Sequence, residues 1–267
     1  MSVLERNRVT VTGQGARVLL FAHGFGCDQA MWRQVAPEFE TDHRVVLYDL
    51  TGAGGSDLGA YDFARYRSLD GHAEDMIEIC EALGLERVVA VGHSVSAIIA
   101  ALAAIRRPDL FDRLVLLSPS PCFMNDGAYR GGFERAELEG LIAFMDENYL
   151  GWSTQLAPTI AGQDGDEPGA VELTQSFCRT DPRIAQHFGR VTFLSDRRAD
   201  MPNLEVPALI VQCADDALAP VGVGEWMHAS IPRSALEVVD VSGHCPHLTA
   251  PDVTVRAIRA YLGRDGS

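Results

Sequence analysis

Val88-Val89-Ala90-Val91-Gly92-His93-Ser94-Val95-Ser96 decides how this chain folds. Four apolar residues lead into a small-x-Ser-x-small step. Ala97-Ile98-Ile99-Ala100-Ala101-Leu102-Ala103-Ala104-Ile105 follows and reads as a buried helix. Strand, sharp turn and helix, with a serine at the apex, is the setting of a nucleophile elbow. The turn strains the serine backbone, so the residues two before and two after it must be small. Gly92 meets that need, and Ser96 stands where glycine is usual. The flanking strand and helix favour this reading over an ordinary serine in a strand–helix turn.

Working outward, short apolar runs recur as strands: Arg17–Ala22, Arg44–Tyr48, Arg87–Val91, Leu114–Leu117, Ala208–Gln212 and Leu236–Val239. Their near-continuous apolar character predicts a mostly parallel sheet covered on both faces. Helical patterns alternate with them at Met31–Phe39, Leu69–Leu83, Val95–Ile105, Val221–Ala229 and Val253–Leu262. That alternation predicts an α/β, doubly wound architecture. Val9–Gly13 adds an antiparallel strand at the sheet edge. The alternation lapses between about Pro121 and Asp200, where the chain reads as helices broken by glycine and proline. The expected division is a core of residues 1–120 and 200–267 with a helical cap at 121–199.

A serine hydroxyl needs a base to take its proton, and the base is usually a histidine oriented by a carboxylate. Two later strands supply both. Val206 to Asp216 is a strand ending in two acids, and Val238 to His244 is a strand ending in a Gly-His turn. Ser94, Asp216 and His244 are the candidate catalytic residues, at C-terminal strand ends where sites of open α/β sheets assemble. Asp216 is preferred because it opens the loop four residues before Pro220. Asp215 is the alternative, read as bonding loop amides, and Asp240 is a remoter one. His247 is assigned to the rim or to a helix cap. His244-x-x-His247 is not read as a metal pair, because no third ligand is near. Val95 N–H and Phe25 N–H, the latter in His23-Gly24-Phe25-Gly26, are the candidate oxyanion donors; His23 is read as bonding within its own loop. Phe25, Phe123, Phe133, Trp152, Leu156, Phe193 and Leu218 are the candidate substrate-binding residues. Core packing is the competing account of each.

The chain has 267 residues, 47% of them hydrophobic, and a net charge of −15. That charge opposes nucleic-acid binding, which rests on basic residues, and disfavours anionic membrane surfaces. All the basic residues are arginine. No apolar signal segment follows Met1, and no apolar run is long enough to span a bilayer. The six cysteines are scattered and predict free thiols. A cytoplasmic monomer is expected.

These residues resemble the α/β-hydrolase superfamily. Gly92-His93-Ser94-Val95-Ser96-Ala97 is similar to the elbow of the plant karrikin and strigolactone receptor hydrolases. Ser118-Pro119-Ser120-Pro121-Cys122, Tyr129-x-Gly131-Gly132-Phe133-Glu134, Asn148-Tyr149-x-Gly151-Trp152 and Gly243-His244-Cys245-Pro246-His247 resemble the bacterial RsbQ group. That group usually has glycine at the position of Ser96. The resemblance runs from about Arg6 to Leu262. It implies a V-shaped four-helix cap over an apolar pocket, a Ser94–His244–Asp216 triad, no cofactor, and a small hydrophobic ester, lactone or butenolide as substrate. It also implies a second role, in which the protein binds a small molecule and activates a partner phosphatase with a PAS domain in stress (sigma-B type) signalling. Glu134, Glu137 and Glu139 in the cap are the acids that such a partner would meet.

Overall fold

The computed structural model describes residues 1–263. Its centre is a seven-stranded sheet ordered β1-β3-β2-β4-β5-β6-β7. The strands are β1 (Thr10–Thr12), β2 (Arg17–Ala22), β3 (His43–Tyr48), β4 (Val88–His93), β5 (Phe111–Leu117), β6 (Ala208–Asp215) and β7 (Ser234–Ser242). β1 pairs antiparallel with β3 at one edge, and every other pairing is parallel.

The apolar runs form strands because alternate side chains serve opposite faces and both faces are covered. Leu20, Ala22, Val46, Ala90, Leu114 and Leu116 enter one apolar cluster. Leu19, Phe21, Val45, Val91, Val115 and Leu117 enter the other. Besides the short N-terminal α1 (Val3–Arg6), the first face is covered by α2 (Asp70–Ala82), α3 (Val95–Arg106) and later α8 (Val221–Ser230). The second face is covered by α10 (Pro251–Leu262) and by two 3-10 turns, Gln29–Trp32 and Ala36–Phe39. Those turns replace the single helix expected over Met31–Phe39. A continuous helix would need an N–H at Pro37 and would drive its ring into a preceding carbonyl. Asp28 instead caps the first turn through Ala30 N–H, and Pro37 opens the second.

Between β5 and β6 lie four helices: α4 (Arg135–Glu147), α5 (Tyr149–Ala161), α6 (Pro168–Arg179) and α7 (Pro182–Phe193). The breakers in this segment are its helix ends. Glu134 and Glu137 form a reciprocal cap at the start of α4, and Asp181 caps α7 through Arg183 N–H and Ile184 N–H. Gly162 closes α5 in the left-handed conformation. The two ends of the segment meet: Cys122 bridges Asp196, and Arg197 N–H donates to Pro121 O at 2.8 Å. The short α9 (Pro246–Thr249) precedes α10. No helix among the described residues is long and apolar enough to cross a membrane.

Strand order locates the site. β3 lies on one side of β2 and β4 on the other, so the winding reverses between β2 and β4. Loops leaving the C-terminal ends of such a pair diverge and open a crevice. The loops leaving β2 and β4 here carry Phe25 and Ser94.

Candidate active site

Ser94 sits between β4 and α3 with φ 54° and ψ −121°, a left-handed strain that a non-glycine residue adopts at a cost. The elbow is tight. A Cβ on Gly92 would stand 2.4 Å from Ser96 O, so only glycine fits there. Ser96 is fully buried, and its hydroxyl donates to His23 O, tying α3 to the loop after β2.

His244 reaches the serine from the loop after β7. Ser94 Oγ–H faces His244 Nε2 at 2.8 Å, and His244 Nδ1–H faces Asp216 Oδ2 at 2.7 Å. Asp216 Oδ1 accepts from Leu218 N–H at 2.8 Å and from Ala219 N–H at 3.0 Å. The carboxylate therefore has one oxygen for the imidazole and the other fixed by the backbone. All three side chains are buried. Asp215 is exposed and accepts from Ser242 Oγ–H at 3.1 Å. The loop amides assigned to Asp215 from the sequence thus belong to Asp216. Asp240 lies within β7 and takes no part in this chain of bonds.

The turn that carries His244 is built against α5. His244 N–H donates to Ile160 O at 2.7 Å, and Gly243 N–H donates to Asp215 O at 2.7 Å. A Cβ on Gly243, at φ 89°, would stand 2.2 Å from Ala161 O. From below, His93 Nε2–H donates to His244 O at 2.8 Å. Burial pushes His93 well below the ordinary histidine range, so this support is uncharged. His247 lies neither at the rim nor in a cap role. It is buried, its ring 4.5 Å from Trp32 and 4.2 Å from His93, and burial lowers it to about 3. The neutral ring packs there as an aromatic against Trp32 and His93.

The amides of Phe25 and Val95 have no acceptor among the described residues. The loop carrying Phe25 is held by His23, whose Nδ1–H donates to Gly24 O at 2.9 Å and whose Nε2 accepts from Leu50 N–H at 3.0 Å. Gly24 lets this loop approach the elbow: a Cβ there would stand 2.5 Å from His93 Nδ1.

The model of the alpha/beta hydrolase family matches residues 19–257. The chain belongs to that family. It is 39% identical over 265 residues to the strigolactone esterase D14 of Arabidopsis thaliana, covering 98% of each chain. It is 38% identical to the karrikin insensitive 2 receptor IA of Petunia hybrida, covering 96% of this chain and 94% of the relative. A solved hydrolase from Oleispira antarctica superposes with a TM-score of 0.96 at 44% identity, over 98% of this chain and 97% of that one.

In this hydrolase Ser94 opens onto a narrow, closely packed cavity. Phe25, Phe123, Trp152, Phe193 and Leu218 line it. Phe133 and Leu156, also expected there, do not. Phe133 is tied by its backbone to Phe123 and Asn125, and it and Leu156 lie half-buried against the apolar core. Ile160, Leu173, Phe177 and Thr192 line the cavity unforeseen. Phe25 is the centre of an aromatic cluster, its ring within 5.8 to 6.1 Å of Trp152, Phe177, Phe188 and Phe193. The thiols of Cys27 and Cys245 line the cavity too. Burial pushes both up, so neither competes with the serine as nucleophile.

Proposed function

We propose that this protein hydrolyses small, largely apolar esters or lactones, butenolides among them, through a Ser94–His244–Asp216 triad. The observation that carries the reading is the unbroken chain Ser94 Oγ–His244 Nε2 at 2.8 Å and His244 Nδ1–Asp216 Oδ2 at 2.7 Å, opening onto an apolar cavity. Ser94 Oγ attacks the carbonyl carbon while His244 Nε2 takes its proton. The carbonyl oxygen becomes an oxyanion held by the Phe25 and Val95 amides, which are free to donate; such a donor is worth on the order of 3 kcal/mol to the transition state. Collapse breaks the carbon–oxygen bond, and the imidazolium returns its proton to the leaving alkoxide. With a lactone the leaving hydroxyl stays tethered to the acyl group. Water then attacks the acyl-serine, with His244 again as base. Asp216 orients the imidazole and offsets its transient charge.

The test is a time course with a fluorogenic butenolide and a p-nitrophenyl ester, comparing the natural protein with Ser94→Ala. Turnover by the natural protein, with a loss of up to about 10⁶-fold in the variant, supports the reading. Equal, background rates for both proteins overturn it.

A second reading is favoured by the receptor name of the Petunia relative. In it the same cavity binds a small molecule and the helical segment engages a protein, such as a PAS-domain phosphatase. Glu134 and Glu137, singled out for such a contact, are engaged in capping α4, and Glu139 stands near Arg135. A ligand-dependent partner recovered from source lysate would support this reading, and recovery of none with or without the butenolide would oppose it.

A further inference from the structure

Ser94 and His244 come from strands that do not touch. β4 leads into the elbow and β7 into the His244 turn, and β5 and β6 lie between them in the sheet. No ladder bond therefore sets the distance between nucleophile and base. Hydrogen bonds hold the base turn from different quarters. Ile160 O on α5 takes the His244 N–H, and Asp215 O at the end of β6 takes the Gly243 N–H. From the elbow comes His93 Nε2–H, which donates to His244 O at 2.8 Å. Apart from the Ser94–His244 bond itself, this is the only hydrogen bond between elbow and base turn among the described residues. The same ring reaches the oxyanion loop. Its other nitrogen, Nδ1, is buried without a hydrogen-bond partner and faces Gly24, where a Cβ would stand 2.5 Å away. The ring of His247 packs 4.2 Å from it and completes its surroundings.

We infer that His93 is a positioning residue for the hydrolysis: from the place before the nucleophile, its ring sets how far both the base turn and the Phe25 loop stand from Ser94. The inference rests on the proposed hydrolase reading and deepens it. The backbone of His93 is continuous with Ser94, its Nε2–H grips the base turn, and its Nδ1 edge is the surface against which Gly24 rests. A neutral imidazole supplies both, one nitrogen with a proton and one without. An apolar side chain in its place leaves His244 O buried without a donor and frees the turn to shift. A displacement of about 1 Å in a reacting geometry costs about 10²-fold in rate, even when its cause lies away from the chemistry. His93 borders the cavity but is only 2% exposed. It acts through the backbone of His244 and Gly24, so its loss falls on kcat more than on KM.

The test measures kcat and KM for a p-nitrophenyl ester at a temperature where thermal melts show every variant folded. His93→Leu is close in size and has no donor. His93→Gln carries an amide N–H that can stand in for Nε2–H. Ser96→Ala, which removes a buried bond at the elbow without touching His244, is the structural comparison. His93→Leu is expected to lower kcat by about 10²-fold with KM within about threefold, and His93→Gln to recover at least about tenfold of that loss. Ser96→Ala falls only several-fold. If His93→Leu does not fold, the apolar and more adaptable His93→Met is read in its place. A folded His93→Leu with kcat within about threefold of the natural protein, a loss carried by KM, or a His93→Gln as slow as His93→Leu overturns the inference. If the natural protein hydrolyses no ester, the hydrolase reading falls. The rate at which a fluorophosphonate labels Ser94, displacing fluoride and read by intact mass, then decides the inference. The order natural, His93→Gln, His93→Leu supports it; equal rates, or no labelling of the natural protein, overturn it.

Discussion

Replacing Asp216 by asparagine is expected to lower kcat for a p-nitrophenyl ester by about 10³-fold while leaving the fold intact. The size follows from how the carboxylate is held. Oδ1 accepts from Leu218 N–H and Ala219 N–H at 2.8 and 3.0 Å, and Oδ2 faces His244 Nδ1 at 2.7 Å. Asparagine offers one acceptor and one NH2 in the same space. With its oxygen towards the two amides, the NH2 points at Nδ1. His244 must then accept at Nδ1 and carry its proton on Nε2, where it cannot take the proton of Ser94. The opposite orientation restores the working tautomer but sets NH2 against two buried N–H donors. Leaving both without an acceptor costs about 1–3 kcal/mol each, about 2–6 kcal/mol in all. The working arrangement is then populated at roughly a few per cent down to less than one in ten thousand, centred near one in a thousand. The equivalent change in serine proteases costs about 10⁴. Initial rates at pH 8, beside thermal melts of each variant, measure the effect. Asp215→Asn is the control, since Asp215 is exposed and its carboxylate bonds Ser242 Oγ rather than His244; it should stay within about twofold of the natural protein. An Asp216→Asn variant keeping more than a tenth of the natural kcat would show that this carboxylate does not set the tautomer of His244.

Gly24→Ala places a Cβ 2.5 Å from His93 Nδ1 and 3.0 Å from His93 Cε1, so the Phe25 loop must retreat. Steady-state kinetics should show kcat down by about 10²-fold or more, as for loss of an oxyanion donor, with a smaller change in KM. Ser96→Ala leaves His23 O without its donor and should lower stability by about 1–2 kcal/mol, read as a fall of a few degrees in Tm, with kcat reduced only several-fold. Acid should unfold the protein early. Burial lowers His72 to about 4, His247 to about 3, and His93 well below its usual range. Each is depressed relative to about 6.5 in the unfolded chain, so on acidification the unfolded state gains protons that the folded state refuses. Above pH 7 these groups cost nothing. Below about pH 6 each removes up to about 1.4 kcal/mol per pH unit, His72 until about pH 4 and His247 until about pH 3. Melting temperatures from pH 7.5 to 4.5 should fall steeply, and a flat profile would contradict the neutral burial of all three.

The central sheet was legible because strands buried on both faces leave short apolar runs, and β2 begins and ends where its run does. The elbow was legible because its steric demand is local: small residues flank one serine in sequence. The turns at Gln29–Trp32 and Ala36–Phe39 were misread as a helix because their apolar spacing is helical and only Pro37 argues otherwise. Asp215 and Asp216 cannot be separated by spacing. Their difference arises because β6 runs through Asp215, which still pairs with Ser242, and Asp216 is the first residue free to turn back. What stayed hidden is long-range. His93 supports His244 across 151 residues, and Ile160 meets the His244 turn from another part of the chain.

In the proposed reaction Ser94 is acylated by an ester substrate and released by water. Rapid quenching after mixing with a p-nitrophenyl ester, followed by mass measurement of the intact protein and of its peptides, tests this directly. One acyl group per chain is expected, on the peptide containing Ser94, forming no more slowly than turnover and absent in Ser94→Ala. An adduct on another residue, or turnover by Ser94→Ala at the natural rate, would contradict it.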